Sequence, residues 1–234
     1  MRPSHLARFV GVVYLIQTFV GSFPLYVRSQ LIVANDASKT AANILNAETL
    51  FRFGLLSEVA VSFTWFAIAY LLYSLFADRH RRLSLLFLVM VVVGISTLTA
   101  NSIFLASTLD LLTGTASVSG FDAGQSYSLA MMLLAQFGRG EAAWGLWAGL
   151  WLIPLGVIVS KGVGVPKVFG PLLILASLGY ALPVIASFIL PGLKEPLRWL
   201  IVYSGLAELS WGIWLLVKGV DERAIAPSIA VQAG

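Results

Sequence analysis

Glu141 and Glu208 each open the same pattern inside an apolar stretch: Glu141-Ala142-Ala143-Trp144-Gly145-Leu146-Trp147 and Glu208-Leu209-Ser210-Trp211-Gly212-Ile213-Trp214. Both read Glu-x-x-Trp-Gly-x-Trp, and together they use four of the seven tryptophans. Glu58, with Ser62 and Trp65 on one helical face, forms a looser relative in an earlier stretch. A carboxylate inserted into lipid costs about 2.5–3.5 kcal/mol or more, so each of these needs a partner or a task. Three carboxylates can serve as general acid, general base or ligands of a hard cation. Joined by Arg52 and Arg139, they can instead present mixed charge to a zwitterionic or hydrogen-bonding head group.

The rest of the composition says what surrounds these groups. The chain has 234 residues, 59% of them hydrophobic and 11% charged, with a mean hydropathy of +0.89. Soluble domains carry about 25% charged residues, so this is a polytopic membrane protein. Cysteine is absent, which excludes disulfides, iron–sulfur clusters and thiol nucleophiles. The two histidines, His5 and His80, lie outside the apolar runs, so haem held between helices by two histidines is not expected. The lysines (Lys39, Lys161, Lys167, Lys194 and Lys218) sit at helix ends or in loops, leaving none mid-helix for a covalent retinal. The sequence holds no Ser-His-Asp set, no His-Glu-x-x-His, no phosphate-binding glycine loop and no nucleic-acid motif. No residue is assigned as a metal ligand, and the cofactor, if any, stays unknown.

An apolar run of about 20 residues spans the hydrocarbon core as a helix. Six such runs are legible, at Leu6–Val27, Thr49–Phe76, Leu83–Leu109, Gly140–Ser160, Val168–Leu190 and Leu197–Val217. The expected fold is therefore all-α, with six transmembrane helices in three hairpins. The first run is too long for a signal peptide and reads as a retained anchor. Residues 1–219 form one domain in this reading, and residues 220–234 a short disordered tail. Arg2, Arg8, Arg79, Arg81, Arg82, Lys161, Lys167, Lys218 and Arg223 collect on one side, which by the positive-inside rule places both termini in the cytoplasm.

Short interfacial helices are expected in the two long outer loops. Asn35-Asp36 can cap a helix over Ala37–Ala47, whose Ala41, Ile44 and Leu45 share a face suited to the membrane surface. After a glycine- and serine-rich stretch, Thr113–Gly124, that reads as mobile, Gln125–Phe137 is apolar and leads into the fourth span through a break at Gly138-Arg139-Gly140. Arg52 and Glu58 lie six residues apart, which separates them by about 120° around a helix. Each must find its partners elsewhere. Matched depths suggest an outer-half pocket with Arg52 and Arg139 above and Glu58 and Glu208 at its floor, Glu141 lying shallower, with Trp144 and Trp211 beside it.

Several ordered motifs resemble a known family. They are Tyr26-Val-Arg28-Ser-Gln-Leu31-Ile-Val-x-x-Asp36, Thr40-Ala-Ala-Asn43-Ile44-Leu45 and Leu50-Phe51-Arg52-Phe-Gly54 in the first half. In the second half they are Pro166-x-x-Phe169-Gly170 and the run from Glu208-Leu209-Ser210 to Gly219. The chain resembles the bacterial six-helix membrane family catalogued as domain of unknown function 4386, over almost its whole length. The resemblance implies a bacterial cytoplasmic (inner) membrane protein with Arg28, Arg52 and Glu208 at family-motif positions, and no established activity. That pattern often has a histidine near the head of the fourth helix. Here Glu141 stands instead, which speaks against a metal site carried over from that histidine.

Three functional classes are open on these residues. The first is a protein that binds or carries an amphipathic, lipid-like ligand, its head at Arg52, Glu58, Arg139, Glu141 and Glu208 and its apolar part among Trp144, Trp211 and their neighbours. The second is a structural or accessory subunit packed against other membrane proteins or further copies of itself. The third is a membrane-embedded enzyme using the buried carboxylates, with or without a metal ion. Membrane lipids are expected partners in each, and nucleic acid in none.

Overall fold

The structure is a computed structural model that describes residues 2–115 and 120–225. Every regular element among the described residues is helical. The elements are α1 (Pro3–Leu31), α2 (Ala37–Asn46), α3 (Glu48–Asn101), α4 (Ile103–Thr113), α5 (Ala123–Leu150), α6 (Leu152–Ser160), α7 (Phe169–Ile189), α8 (Lys194–Leu197), α9 (Trp199–Lys218) and α10 (Glu222–Ile225), with a 3-10 turn at Pro191–Leu193. Among the described residues, five helical stretches, Pro3–Leu31, Glu48–Thr113, Ala123–Ser160, Phe169–Ile189 and Trp199–Lys218, are long and apolar enough to cross a membrane. The all-α class read from the sequence stands.

α3 is two helices joined at His80, which leaves helical geometry at φ −131° and ψ 43°. The neighbouring residues Asp78, Arg79, Arg81 and Arg82 are all exposed. Partial burial, then the Lys161 and Arg79 charges, hold the His80 imidazole below its ordinary pKa. The positive charge of this turn therefore rests on its arginines at neutral pH.

The described chain forms two compact units. The first comprises the described residues within Met1–Ile16, Thr64–Gly94 and Gly145–Gly234. Its core holds Trp151, Trp211, Phe76, Phe87, Ile68 and Leu72, all sealed from solvent. Helices approach closely where side chains are smallest. A Cβ on Gly11 of α1 would come within 2.6 Å of Leu216 Cβ and 2.7 Å of the Gly212 carbonyl on α9. Ser204 of α9 donates to the Ala176 carbonyl of α7 at 2.6 Å. The start of the expected tail is tied down rather than loose. Asp221 N donates to Gly164 O at 2.8 Å, Ser4 N reaches Glu222 Oε1 at 3.4 Å, and Arg79 donates to the Ala224 carbonyl. The rest of the expected disordered tail, residues 226–234, lies outside the described residues, as do residues 116–119 of the expected mobile loop.

The second unit comprises Gln17–Phe63 and Ile95–Trp144, around a core of Val27, Leu31, Ile44, Phe51, Leu105 and Phe137. Asp36 caps α2 by accepting from Lys39 N at 2.8 Å, as the sequence predicts. The helix differs from the expected interfacial one in what it covers. Thr40, Ala41 and Ile44 are buried while Leu45 is exposed, and Ile44 belongs to the protein's own core. Two polar ties hold it there: the Thr40 hydroxyl accepts from Val33 N at 2.9 Å, and Asn43 donates to the Leu31 carbonyl at 3.1 Å.

A second difference concerns Gly138-Arg139-Gly140. α5 runs through it unbroken for 28 residues. Each helical glycine costs about 1 kcal/mol relative to alanine, and Gly140 recovers this by contact. A Cβ there would collide with the Asn101 amide, which donates to the Phe137 carbonyl at 2.8 Å.

Candidate functional site

Three helices of the second unit converge on Arg28. It stands in the last turn of α1, where its long side chain leaves the helix near its end. The guanidinium donates through Nη1 to Glu58 Oε1 of α3, and through Nη2 to Glu141 Oε1 of α5 at 2.5 Å. Its carbon lies 4.9 Å from the centroid of the Phe137 ring, a cation–π contact. Glu58 is 5% exposed, Arg28 13% and Glu141 33%, so the group is closed at Glu58 and open at Glu141. With both carboxyls ionised, one guanidinium faces two carboxylates and the cluster carries one excess negative charge. A crevice of about 10 Å³ adjoins it, lined by Pro24, Val27, Phe51, Gly54 and Leu105 as well as Arg28. That is room for about one water molecule.

The sequence-derived site residues divide between the units. Arg52, Glu58, Arg139, Glu141 and Trp144 belong to the second, and Glu208 and Trp211 to the first. Glu58 and Glu141 meet on Arg28. Arg52 is exposed and paired within its own helix, its Nε donating to Glu48 Oε1 at 2.7 Å. Arg139 is exposed. Trp144 is half-buried, one turn beyond Glu141 on the same side of α5. Sequence reasoning placed Arg28 at a family-motif position, and missed it as the shared partner of two carboxylates. The available signal was a lone arginine closing an apolar run.

In the first unit, Glu208 of α9 is only 6% exposed. The Tyr180 hydroxyl of α7 donates to its carboxyl group, and Tyr14 of α1 lies within electrostatic range. Among the described residues, Glu208 Oε2 has no hydrogen-bond partner, and neither do the indole nitrogens of Trp151, Trp211 and Trp214. Trp211, one turn from Glu208, packs edge-on against Phe169 with centroids 5.7 Å apart. Among the described residues, no group of three or more His, Cys, Asp and Glu is placed to hold a metal ion.

These features define an all-α protein with helices of membrane-spanning length that encloses carboxyl groups in two places. Residues 9–219 match the family described as "Domain of unknown function (DUF4386)", and the chain belongs to that family. No curated protein and no solved structure gives a match.

Proposed function

We propose that this protein binds an amphipathic, lipid-like molecule with an ammonium-bearing head, and that the head docks on the Glu141 edge of the Arg28–Glu58–Glu141 group. The observation that carries the reading is the sharing of one guanidinium by two carboxyl groups at an open edge. Two carboxylates share one guanidinium, and the second of them is one-third exposed. Trp144 lies one turn further along α5 and offers a ring face to the same cation. The adjoining crevice has the volume of about one water, so the head sits at the edge and the acyl chains run along the apolar helix surface. The setting is six spans in a bacterial inner membrane, both termini cytoplasmic. It rests on separate crossings by the two helices that flank His80 and on the placement of basic residues.

The same geometry favours a second reading, in which the group is a structural clamp joining α1, α3 and α5. Arg28 is satisfied by protein groups alone, and a buried ion cluster can serve to fix register. Native mass spectrometry of the protein in lipid discs separates the two. Discs contain either phosphatidylethanolamine or phosphatidylglycerol with identical acyl chains. The ligand reading expects roughly tenfold stronger retention of the ethanolamine lipid, equivalent to about 1.4 kcal/mol, and loss of that preference in Glu141→Gln. Equal retention of both lipids by wild type and variant rejects it and moves the accessory-subunit reading to first place.

A further inference from the structure

We propose that Glu208 binds one exchangeable monovalent cation, a proton or an alkali ion, in a site shared with Tyr180 and separate from the Arg28 group. A carboxylate enclosed in an apolar helix bundle must be compensated by positive charge. The Arg28 group shows how this chain does so with its own residues. At Glu208 it does not. The titratable side chains that face this carboxyl are two phenols, Tyr180 from α7 and Tyr14 from α1, and among the described residues no cationic side chain is paired with it. Glu208 is 94% buried by its 6% exposure, and its Oε2 has no hydrogen-bond partner.

The neighbours specify the size and charge of what binds. One carboxylate supplies one negative charge. No group of three acidic or histidine ligands lies nearby among the described residues to stabilise a divalent ion. The Tyr180 hydroxyl donates its proton to the carboxyl, which leaves its oxygen lone pairs free toward an ion or a protonated partner. Close packing keeps the site small. A Cβ on Gly212 would come within 2.9 Å of Tyr14 Cβ, so α1 and α9 pack tightly beside it. Proton and alkali ion share this chemistry, and they are distinguished by experiment.

The full chain, purified and reconstituted, is placed in choline buffer free of sodium and potassium at fixed pH and ionic strength. Infrared spectra are recorded for wild type and Glu208→Gln, and melting temperature is followed as sodium or potassium chloride replaces choline. A protonated carboxylic-acid band present in wild type and absent from the variant, with no response to either salt, assigns the cation as a proton. Ionised-carboxylate bands with a saturable rise in Tm, lost in Glu208→Gln, assign it as an alkali ion, because binding to the native state alone raises stability with ion concentration. Ionised bands with no salt-dependent stabilisation overturn the proposal. Tyr180→Phe supplies an independent reading if Glu208→Gln does not fold. It should shift the acid band or raise the half-saturating salt concentration, and no change in either also overturns the proposal.

Discussion

Arg28 and Arg52 are both arginines near a helix end in the same unit, and their surroundings give them opposite weights. Arg52 and its partner Glu48 are 57% and 39% exposed, one helical turn apart. A pair of that kind contributes about 0.2–1 kcal/mol. Arg28 is 13% exposed and holds two carboxylates from two other helices. Removing it leaves both unpaired, at a cost of about 3–5 kcal/mol. Arg28→Met should therefore lower the melting temperature strongly and Arg52→Met barely. Equal small shifts in thermal melts of the two variants would remove the ion cluster from the account of stability. The carboxylates Glu58 and Glu141 were legible in the sequence because a charge inside an apolar run stands out. Their partner was not, because Arg28 reaches them across helices, and spacing within one helix carries no record of that. The Arg52–Glu48 pair has i,i+4 spacing that sequence can show. It was passed over because the span was drawn from Thr49, one residue too late.

At the scale of the element, what a helix does depends on what it touches, and glycine shows this most plainly. Gly11 and Gly138 both lie inside helices. A Cβ at Gly11 meets α9, whereas at Gly138 nothing lies within 4 Å. Gly11→Ala should destabilise by about 1–3 kcal/mol through overpacking. Gly138→Ala should stabilise by up to about 1 kcal/mol through helix propensity. Chemical or thermal unfolding of the two variants checks the opposite signs, and a shared sign would mean that the α1–α9 contact is not as close as described. The same contrast explains the reading of α5. Glycine flanking arginine is a proper sign of a break by propensity alone, but the fit of Gly140 around the Asn101 amide outweighs it. The α2 helix was legible to its capping residue because Asp36 acts locally. Its burial was not, since a face with Ala41, Ile44 and Leu45 suits a lipid surface and a protein core equally well.

For the whole molecule, the decisive feature is the His80 break, because the proposed count of six spans depends on it. Residues Arg81–Thr113 form helix with one irregular position at Ser102, about 50 Å at 1.5 Å per residue. The six-span reading has that length pass the roughly 30 Å hydrocarbon core once and not twice. In the proposed topology the exposed arginines at Arg79, Arg81 and Arg82 hold the turn on the cytoplasmic side under the positive-inside rule, and Thr115 lies on the other side. The absence of native cysteine makes this measurable without background. Thr115→Cys should react with a membrane-impermeant maleimide in intact cells, and Arg81→Cys only after the membrane is opened. Labelling of Arg81→Cys in intact cells at the rate of Thr115→Cys would place both on one face. The helix between them would then not cross, the count of six spans would fall, and the inward assignment of the basic residues would fall with it.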